Sequence, residues 1–230
     1  MSDDDLRRRA ARFAALGEPV RLAIVEHLAL GDAAPGELGG LVGLTSNHLA
    51  FHLNVLLDAG LLRKSRSEGD RRRSYVGLRL DDPAVAALVR PPLAAVDADA
   101  GSPRRVVFVC THNSARSQLA AAAWARVSPM PTASAGTHPA ARVHPRAVTT
   151  ARRHGLRLSG ARTQHLTQAA QPGDLLVAVC DNAYEELGPH GVGLHWSVPD
   201  PARTDTDDAF DAAYLDLGRR VDRLARTLTP

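Results

Sequence analysis

Cys110 and Arg116 are the residues whose types and spacing most directly indicate chemistry in this 230-residue chain. They begin and nearly end the segment CTHNSARS, which follows the apolar run 105–109 and precedes the alanine-rich run 118–127. A strand that leads through a short loop into a helix turns backbone N–H groups toward one point, and the helix N-terminus adds a dipole that favours an anion. The sequence therefore predicts an oxyanion-binding loop with a cysteine at its start.

The polar groups of this loop have separate predicted roles. Arg116 offers a planar pair of donors that matches two oxygens of a tetrahedral oxyanion. The same positive field favours the nucleophilic thiolate of Cys110, to which Ser117 can donate a hydrogen bond. Asn113 tolerates a left-handed backbone and can tie the loop together. The predicted oxyanion-binding residues are Thr111, His112, Asn113, Ser114, Ala115 and Arg116.

Alternating strands and helices are predicted to hold this loop. Apolar runs at 105–109 and 174–180, with shorter ones before Ser134 and at His195, predict strands. Amphipathic patterns between them, and a long one near the carboxyl end, predict helices. This alternation indicates an α/β domain with a parallel sheet covered on both faces and with its reactive loops at the carboxyl ends of the strands.

Residues 104–228 resemble the low-molecular-weight tyrosine phosphatases and, within that fold, the arsenate reductases. The resemblance rests on the C-x5-R-S loop and on Asp200-Pro after a predicted strand. It implies that Cys110 is the nucleophile, Arg116 the oxyanion binder and Asp200 the general acid that protonates the leaving oxygen. The phosphatases typically carry a second cysteine before the arginine and a proline after the serine. This chain has Ala115 and Gln118 there, and its Arg-Ser-Gln resembles the arsenate reductases.

Cys180 is relevant to which thiols would supply the electrons for arsenate reduction. By position it matches the second cysteine of the thioredoxin-coupled arsenate reductases, but the third would fall near Leu187, where there is none. The pair His112-Asn113 resembles a related type that uses one nucleophilic cysteine and an external thiol. The resemblance therefore implies no bound cofactor and favours mycothiol with mycoredoxin over thioredoxin as donor. Cys180 is either a resolving thiol or an inert core cysteine.

The first hundred residues carry the pattern of a helix, a turn and an amphipathic helix. Residues 35–41 predict a short helix, Gly43 breaks the chain, and residues 46–59 predict a helix with Thr45 as its N-cap. Two strands, 61–67 and 74–80, predict a hairpin around Glu68-Gly69-Asp70. Residues 1–100 have a net charge of −1, but 61–79 hold seven basic residues against two acidic ones. A basic hairpin after such a helix is typical of a wing that contacts DNA phosphates.

The segments LGEPVRLAI from Leu16 and LTSNHLAFHLNVLLDAGLL from Leu44 resemble the ArsR family of winged-helix repressors. The resemblance covers about residues 6–96 and implies a homodimer on a palindromic operator in double-stranded DNA. The implied DNA-binding residues are Thr45, Ser46, Asn47, His48, Ala50, Phe51, Arg63, Lys64, Arg66, Arg71, Arg72 and Arg73.

One departure from this family concerns its sensor. The cysteine pair with which many members bind arsenite or metals is missing from residues 35–40. Thiophilic ions need such thiolates, and His27 and His52 are predicted to be core side chains. We therefore predict no metal site.

The composition predicts two domains and a cytoplasmic location. The expected boundaries are 1–97 for the winged helix-turn-helix domain, 98–104 for a small, polar linker and 105–230 for the α/β domain. An apolar run that could span a bilayer is absent, as is a signal-peptide pattern, so we expect no membrane association. Two cysteines do not form a secreted disulfide framework, which favours the cytoplasm.

Three functions remain open from the sequence. The leading hypothesis is an arsenic-responsive transcriptional regulator fused to an arsenate reductase, which acts on arsenate through Cys110 and a thiol reductant. The first alternative is a phosphatase of the low-molecular-weight tyrosine phosphatase type, because phosphate and arsenate have nearly the same shape. The second is a repressor that senses an oxyanion without turning it over.

Overall fold

A computed structural model of the chain describes residues 2–89, 103–158 and 160–228. These residues form two units, one with 2–66 and 71–89 and the other with 67–70, 103–158 and 160–228. Of the predicted linker 98–104, only Pro103 and Arg104 are among the described residues. The linker therefore stays a prediction.

The first unit is helical, with one antiparallel pair of strands. Its described elements in chain order are α1 (Asp3–Leu16), α2 (Pro19–His27), α3 (Pro35–Val42), α4 (Ser46–Asp58), β1 (Leu62–Arg66), β2 (Ser74–Leu78) and α5 (Pro83–Leu88). The predicted helix, turn, helix and hairpin are confirmed. Helix α1 has no counterpart in the sequence prediction, although a capping box between Ser2 and Asp5 marks its start.

Local signals begin and end the helices around the turn. The Glu18 carboxylate accepts the backbone N–H groups of Val20 and Arg21, and so caps α2. Gly43 ends α3 with a φ of 65°, a conformation that costs glycine little.

One prediction was wrong: His27, expected in the core, is exposed because it lies on the outer side of the last turn of α2.

The second unit alternates strands and helices. Its described elements in chain order are β3 (Arg105–Cys110), α6 (Arg116–Val127), β4 (Thr132–Gly136), α7 (Pro145–Arg153), α8 (Leu166–Ala169), β5 (Asp174–Ala178), α9 (Asp181–Leu187), β6 (Leu194–His195), α10 (Pro201–Thr204) and α11 (Asp207–Leu228). A short 3-10 turn, Pro189–Gly191, precedes β6.

The strands of the second unit form a parallel sheet in the order β4-β3-β5-β6. Four successive residues of β3, 106–109, have no exposed surface. Because successive side chains of a strand point to opposite faces, both faces of the sheet are covered. Phe108 lies between two other large buried rings, Trp124 of α6 and Trp196 after β6. The predicted fold class, a winged helix-turn-helix followed by an α/β parallel sheet, is confirmed.

In the described parts of the chain, no helix combines the length and the apolar character that crossing a membrane requires.

Candidate oxyanion site and DNA-binding surface

The loop of residues 111–115 lies at the carboxyl end of the inner strand β3 and leads directly into α6. Its carbonyl groups are turned outward. The oxygens of Cys110, Thr111, His112 and Ser114 accept hydrogen bonds from the N–H groups of Thr137, His138, Ala140 and His144, at 3.2, 2.8, 2.9 and 2.8 Å. In a planar trans peptide the C=O and the next N–H point in opposite directions. The following N–H groups therefore face the inside of the loop, where they can receive an anion.

Gly136, the last residue of β4, makes this packing possible. It pairs with Cys110 across the sheet. A Cβ at this position would lie 2.7 Å from the Thr111 carbonyl oxygen and 3.0 Å from the Asn113 backbone nitrogen. Both atoms belong to the loop backbone, so a side chain here would displace the loop.

Asn113 ties the loop together from inside. Its φ of 49° lies in the left-handed region, and the residue is fully buried. Its Oδ1 accepts the Gln164 N–H at 2.9 Å, and Gln118 Nε2 donates to its carbonyl oxygen at 3.1 Å. Asn113 thus joins the loop to α6 and to the segment before α8, and the predicted left-handed backbone is present.

Cys110 and Ser117 form the nucleophilic end of the site. The Cys110 Sγ lies 3.1 Å from the Ser117 Oγ, and both residues are buried. Asn113 Nδ2 donates to the same Oγ at 2.9 Å. The serine oxygen therefore has its proton and one lone pair left, and the hydroxyl can donate to a thiolate at Cys110.

Arg116 provides the positive charge of the site. Its side chain is only 4% exposed. Its Nη1 donates to the Val198 carbonyl oxygen at 2.8 Å, which fixes the plane of the guanidinium. Burial opposes its charge, but the nearby Cys180 and Glu68 outweigh burial and raise its pKa. Arg116 therefore stays a cation and is available as a fixed fork of donors.

Asp200 lies beside this guanidinium. Its Oδ2 is 3.3 Å from the Arg116 Nη2, and its Oδ1 accepts the Ala202 N–H at the start of α10. The side chain is 19% exposed, so a proton can reach it from solvent. Asp200 therefore lies beside Arg116, the predicted oxyanion-binding residue.

Cys180 is a second thiol at the same site. It has no exposed surface, and its Sγ is 3.6 Å from the Thr111 Oγ1. Burial raises the pKa of Cys180 to about 11, although Arg116 opposes this shift. Cys180 is therefore protonated at neutral pH, and both cysteines are free.

Glu68 lies in the site and was missed by the sequence reasoning, which assigned it to a hairpin turn. Both of its carboxylate oxygens are 3.0 Å from the Arg116 Nη1. Burial raises the pKa of Glu68 more than Arg116 lowers it. No sequence signal could find this contact, because 48 residues separate its partners.

A buried acid and imidazole lie behind Glu68. Asp181 Oδ1 lies 3.0 Å from the His195 Nε2, and its Oδ2 accepts the Glu68 N–H at 2.9 Å. Burial favours the neutral acid, but the hydrogen bonds of Asp181 to His195 and Glu68 lower its pKa. This pair was also absent from the sequence prediction.

The remaining predicted loop residues have smaller roles. His112 is exposed and Ser114 is half-buried, so each offers mainly its backbone. Ala115 is buried and caps α6 with a non-helical backbone. Within the described residues, no group of three or more His, Cys, Asp or Glu side chains is placed to hold a metal ion.

The predicted DNA-binding residues of α4 form an exposed face. Leu49, Leu53 and Leu56 are buried, while the opposite side of the helix faces solvent. The exposed predicted residues are Thr45, Ser46, Asn47, His48, Ala50 and Phe51. Thr45 occupies the N-cap position, but its hydroxyl contacts the His48 ring instead of a backbone N–H.

The basic residues of the hairpin are mostly exposed, with one exception. Those at the surface are Lys64, Arg66, Arg71, Arg72 and Arg73. Arg63 differs because its Nη2 donates to the buried Asp32 carboxylate at 3.0 Å. This ion pair offsets the charge of Arg63, whose phosphate contact stays a prediction.

Two parts of the chain match known families. Residues 105–230 match the family described as "Low molecular weight phosphotyrosine protein phosphatase", and residues 16–65 match "Helix-turn-helix domain". A probable mercury resistance operon repressor from Streptomyces lividans is 32% identical over 77 residues, which are 34% of this chain and 58% of that protein. The chain thus spans little more than half the length of this curated relative.

Solved structures resemble the second part of the chain. The tyrosine phosphatase Wzb from Escherichia coli K30, in complex with sulphate, is 26% identical with a TM-score of 0.50 and covers 55% of this chain and 99% of its own. The tyrosine phosphatase amsI from Erwinia amylovora shares the fold, with 21% identity, a TM-score of 0.50 and coverage of 56% and 95%. The match of residues 105–230 includes the cysteine loop, Arg116 and Asp200. This chain therefore belongs to the low molecular weight phosphotyrosine protein phosphatase family, and it carries an additional amino-terminal helix-turn-helix domain.

Proposed function

We propose that this protein is a DNA-binding regulator whose second domain is a thiol-dependent arsenate reductase. The supporting observation is the placement of two thiols at one loop: Cys110 begins the loop, and the Cys180 Sγ lies 3.6 Å from the Oγ1 of Thr111, the next loop residue. A phosphatase of this kind needs one nucleophilic cysteine. Reduction of arsenate to arsenite takes two electrons, which the oxidation of two thiols to a disulfide supplies.

In the proposed first step, the Cys110 thiolate attacks the arsenic atom of an arsenate held by the loop N–H groups and Arg116. A sulfur–arsenic bond forms and an arsenic–oxygen bond breaks. Asp200 gives its proton to the departing oxygen, which leaves as water. The Ser117 hydroxyl, 3.1 Å from the Cys110 Sγ, can donate a hydrogen bond to the attacking thiolate.

In the proposed second step, another thiol completes the reduction. If that thiol is Cys180, its sulfur attacks the Cys110 sulfur, the electron pair of the sulfur–arsenic bond passes to arsenic, and arsenite leaves with a disulfide behind it. The Cys180 proton has to be removed for this attack, because its pKa is about 11. Otherwise an external thiol such as mycothiol attacks the arsenic and displaces the Cys110 thiolate. A second thiol, such as that of mycoredoxin, then attacks the arsenic-bound mycothiol sulfur, the electron pair of the sulfur–arsenic bond passes to arsenic, and arsenite leaves with a mixed disulfide behind it.

The test is arsenite formation by the purified full chain, with mycothiol and mycoredoxin in one assay and thioredoxin in another. We expect turnover with one of these systems and none in Cys110→Ser. Full turnover in Cys110→Ser would show the mechanism to be wrong. Cys180→Ser separates the two routes: activity lost with every donor assigns the resolving step to Cys180, and activity retained assigns it to the external thiol.

A phosphatase is the second candidate, because the 26%-identical relative with sulphate is a tyrosine phosphatase. Asp200, at 3.3 Å from Arg116, would then protonate the leaving group of a phosphate ester. Release of phenol from an aryl phosphate at high rate, without any added thiol, would favour this function. Binding of oxyanion without turnover of either substrate would favour a sensor.

The first domain gives the proposed regulatory function. The relative from Streptomyces lividans is a probable repressor, and the exposed face of α4 with the basic hairpin can contact bases and phosphates. We therefore propose a homodimeric repressor that binds a palindromic operator in the cytoplasm. Gel-shift and sedimentation measurements on the full chain test operator binding and dimerisation; a monomer that binds operator tightly would exclude the dimer.

A further inference from the structure

The segment Ser67–Asp70 belongs to the second unit, where it reaches the oxyanion loop. The Glu68 side chain is 12% exposed and faces Arg116 with both carboxylate oxygens at 3.0 Å. Both oxygens contact the same guanidinium nitrogen, Nη1, and they carry the negative charge that an oxyanion would bring to it. Glu68 therefore occupies a donor of Arg116 that an oxyanion needs.

Four further hydrogen bonds hold this segment in place. Two are donated by backbone N–H groups, one by a hydroxyl and one by a guanidinium. They run from Glu68 N to Asp181 Oδ2 (2.9 Å), from Asp70 N to Glu185 Oε2 (3.0 Å), from Ser67 Oγ to Glu185 Oε1 (2.6 Å) and from Arg203 Nη2 to the backbone carbonyl oxygen of Glu68 (3.1 Å). A Cβ at Gly69 would force the ends of the Asn182 and Glu185 side chains to move.

The charges in the site do not allow Glu68 and an oxyanion to bind together. Arg116 already faces two carboxylates, Glu68 and Asp200. Asp200 and the nearby Asp181 both disfavour the ionised form of Glu68. A dianion added to this group of acids would be repelled strongly at low exposure to water.

We propose that Glu68 is an internal competitive ligand of the oxyanion site, so that the Ser67–Asp70 segment inhibits the enzyme until an oxyanion displaces it. The inference rests on the oxyanion site of the proposed function.

The test is the affinity of the full chain for inorganic phosphate and arsenate, measured by titration calorimetry in a Cys110→Ser background that prevents turnover. If Glu68 fills the site nine-tenths of the time, the apparent affinity is reduced about tenfold. Glu68→Ala is therefore expected to bind both anions roughly tenfold more tightly. Glu186→Gln is the matched control, because this exposed acid pairs with His138 and should leave affinity unchanged.

A second variant checks that displacement of the segment, and not only the loss of a charge, is responsible. Glu185→Ala removes two of the anchoring hydrogen bonds and leaves Arg116 untouched, so we expect a smaller gain in affinity. Equal affinity with and without Glu68→Ala would overturn the inhibition while leaving the oxyanion site intact. Absence of binding in every variant would overturn the proposed site itself.

Hydrogen exchange gives an independent measurement. The Glu68 and Asp70 N–H groups are bonded to carboxylates in the docked segment. Phosphate is expected to accelerate exchange of the peptide that contains residues 67–70. Unchanged exchange in this peptide, in protein that has bound phosphate, would show that Glu68 stays in place and the inference is wrong.

Discussion

Replacement of Gly136 by alanine is expected to damage the oxyanion loop without touching any group that does chemistry. The added Cβ would lie 2.7 Å from the Thr111 carbonyl oxygen, 3.0 Å from the Asn113 nitrogen and 3.1 Å from the Asn113 Cβ. Ordinary contacts of a Cβ begin at 3.4 Å. The loop or β4 therefore has to move by roughly 0.4 to 0.7 Å.

The expected effects follow from that displacement. Overpacking of this kind costs about 1–3 kcal/mol, which for a domain of this size lowers the Tm by roughly 3–10 °C. Because the N–H groups of the loop must converge on the oxyanion, a shift of this size is expected to reduce its turnover roughly tenfold or more. The fractional loss of turnover rate should exceed the fraction of protein that is unfolded at the assay temperature.

The assay combines a thermal unfolding scan with initial rates of oxyanion turnover in the full chain. Gly218→Ala is the matched control, because among the described residues no atom outside the adjoining backbone of α11 lies within 4 Å of its added Cβ. Within α11 this change should stabilise the helix by about 0.5–1 kcal/mol and leave turnover unchanged. A Gly136→Ala variant with the Tm and turnover of the natural protein would refute the reasoning.

Three further outcomes are expected. Ser117→Ala removes the hydroxyl that lies next to the Cys110 sulfur, and it should slow turnover roughly tenfold to a hundredfold in protein that remains folded. Initial rates equal to those of the natural protein would contradict this role of Ser117. Burial raises the pKa of Cys180 from 9.0 to about 11, so the folded chain holds this proton more tightly than the unfolded chain. The free energy of unfolding should therefore fall as the pH rises from about 9 to about 11, and urea titrations of Cys180→Ala should show a shallower fall. On short duplex DNA, Arg71→Ala should reduce the slope of log affinity against log salt concentration by about 1. Arg63→Ala should leave this slope unchanged, and it should lower the stability of the protein because Asp32 loses its partner.

Sequence reasoning was most successful where the signals are local. The strand, the loop and the helix around Cys110 follow from a β-branched run, a short polar segment and an alanine-rich run, and the structure has all three. The helix-turn-helix follows in the same way from the stripe of leucines on α4 and from Gly43. Local patterns of this kind depend on backbone preference and burial, which neighbouring residues determine.

Helix α1 marks the limit of the apolar pattern as a signal. Its sequence has several arginines and only scattered apolar residues, so its periodicity is weak. The capping box of Ser2 with Asp5 and the acidic first turn are polar signals for the same helix. A sequence prediction that gave the capping box and the acidic first turn more weight would include α1.

The amino-acid sequence by itself determined the two domain types, the cysteine loop, and the positions of Arg116 and Asp200 along the chain. Only the tertiary structure decided which groups share the site. Glu68 meets Arg116 across 48 residues, Cys180 meets Thr111 across 69, and Arg63 meets Asp32 across 31. The physical reason is that charges and thiols interact according to distance in space. Sequence separation does not limit that distance once strands and loops are packed together.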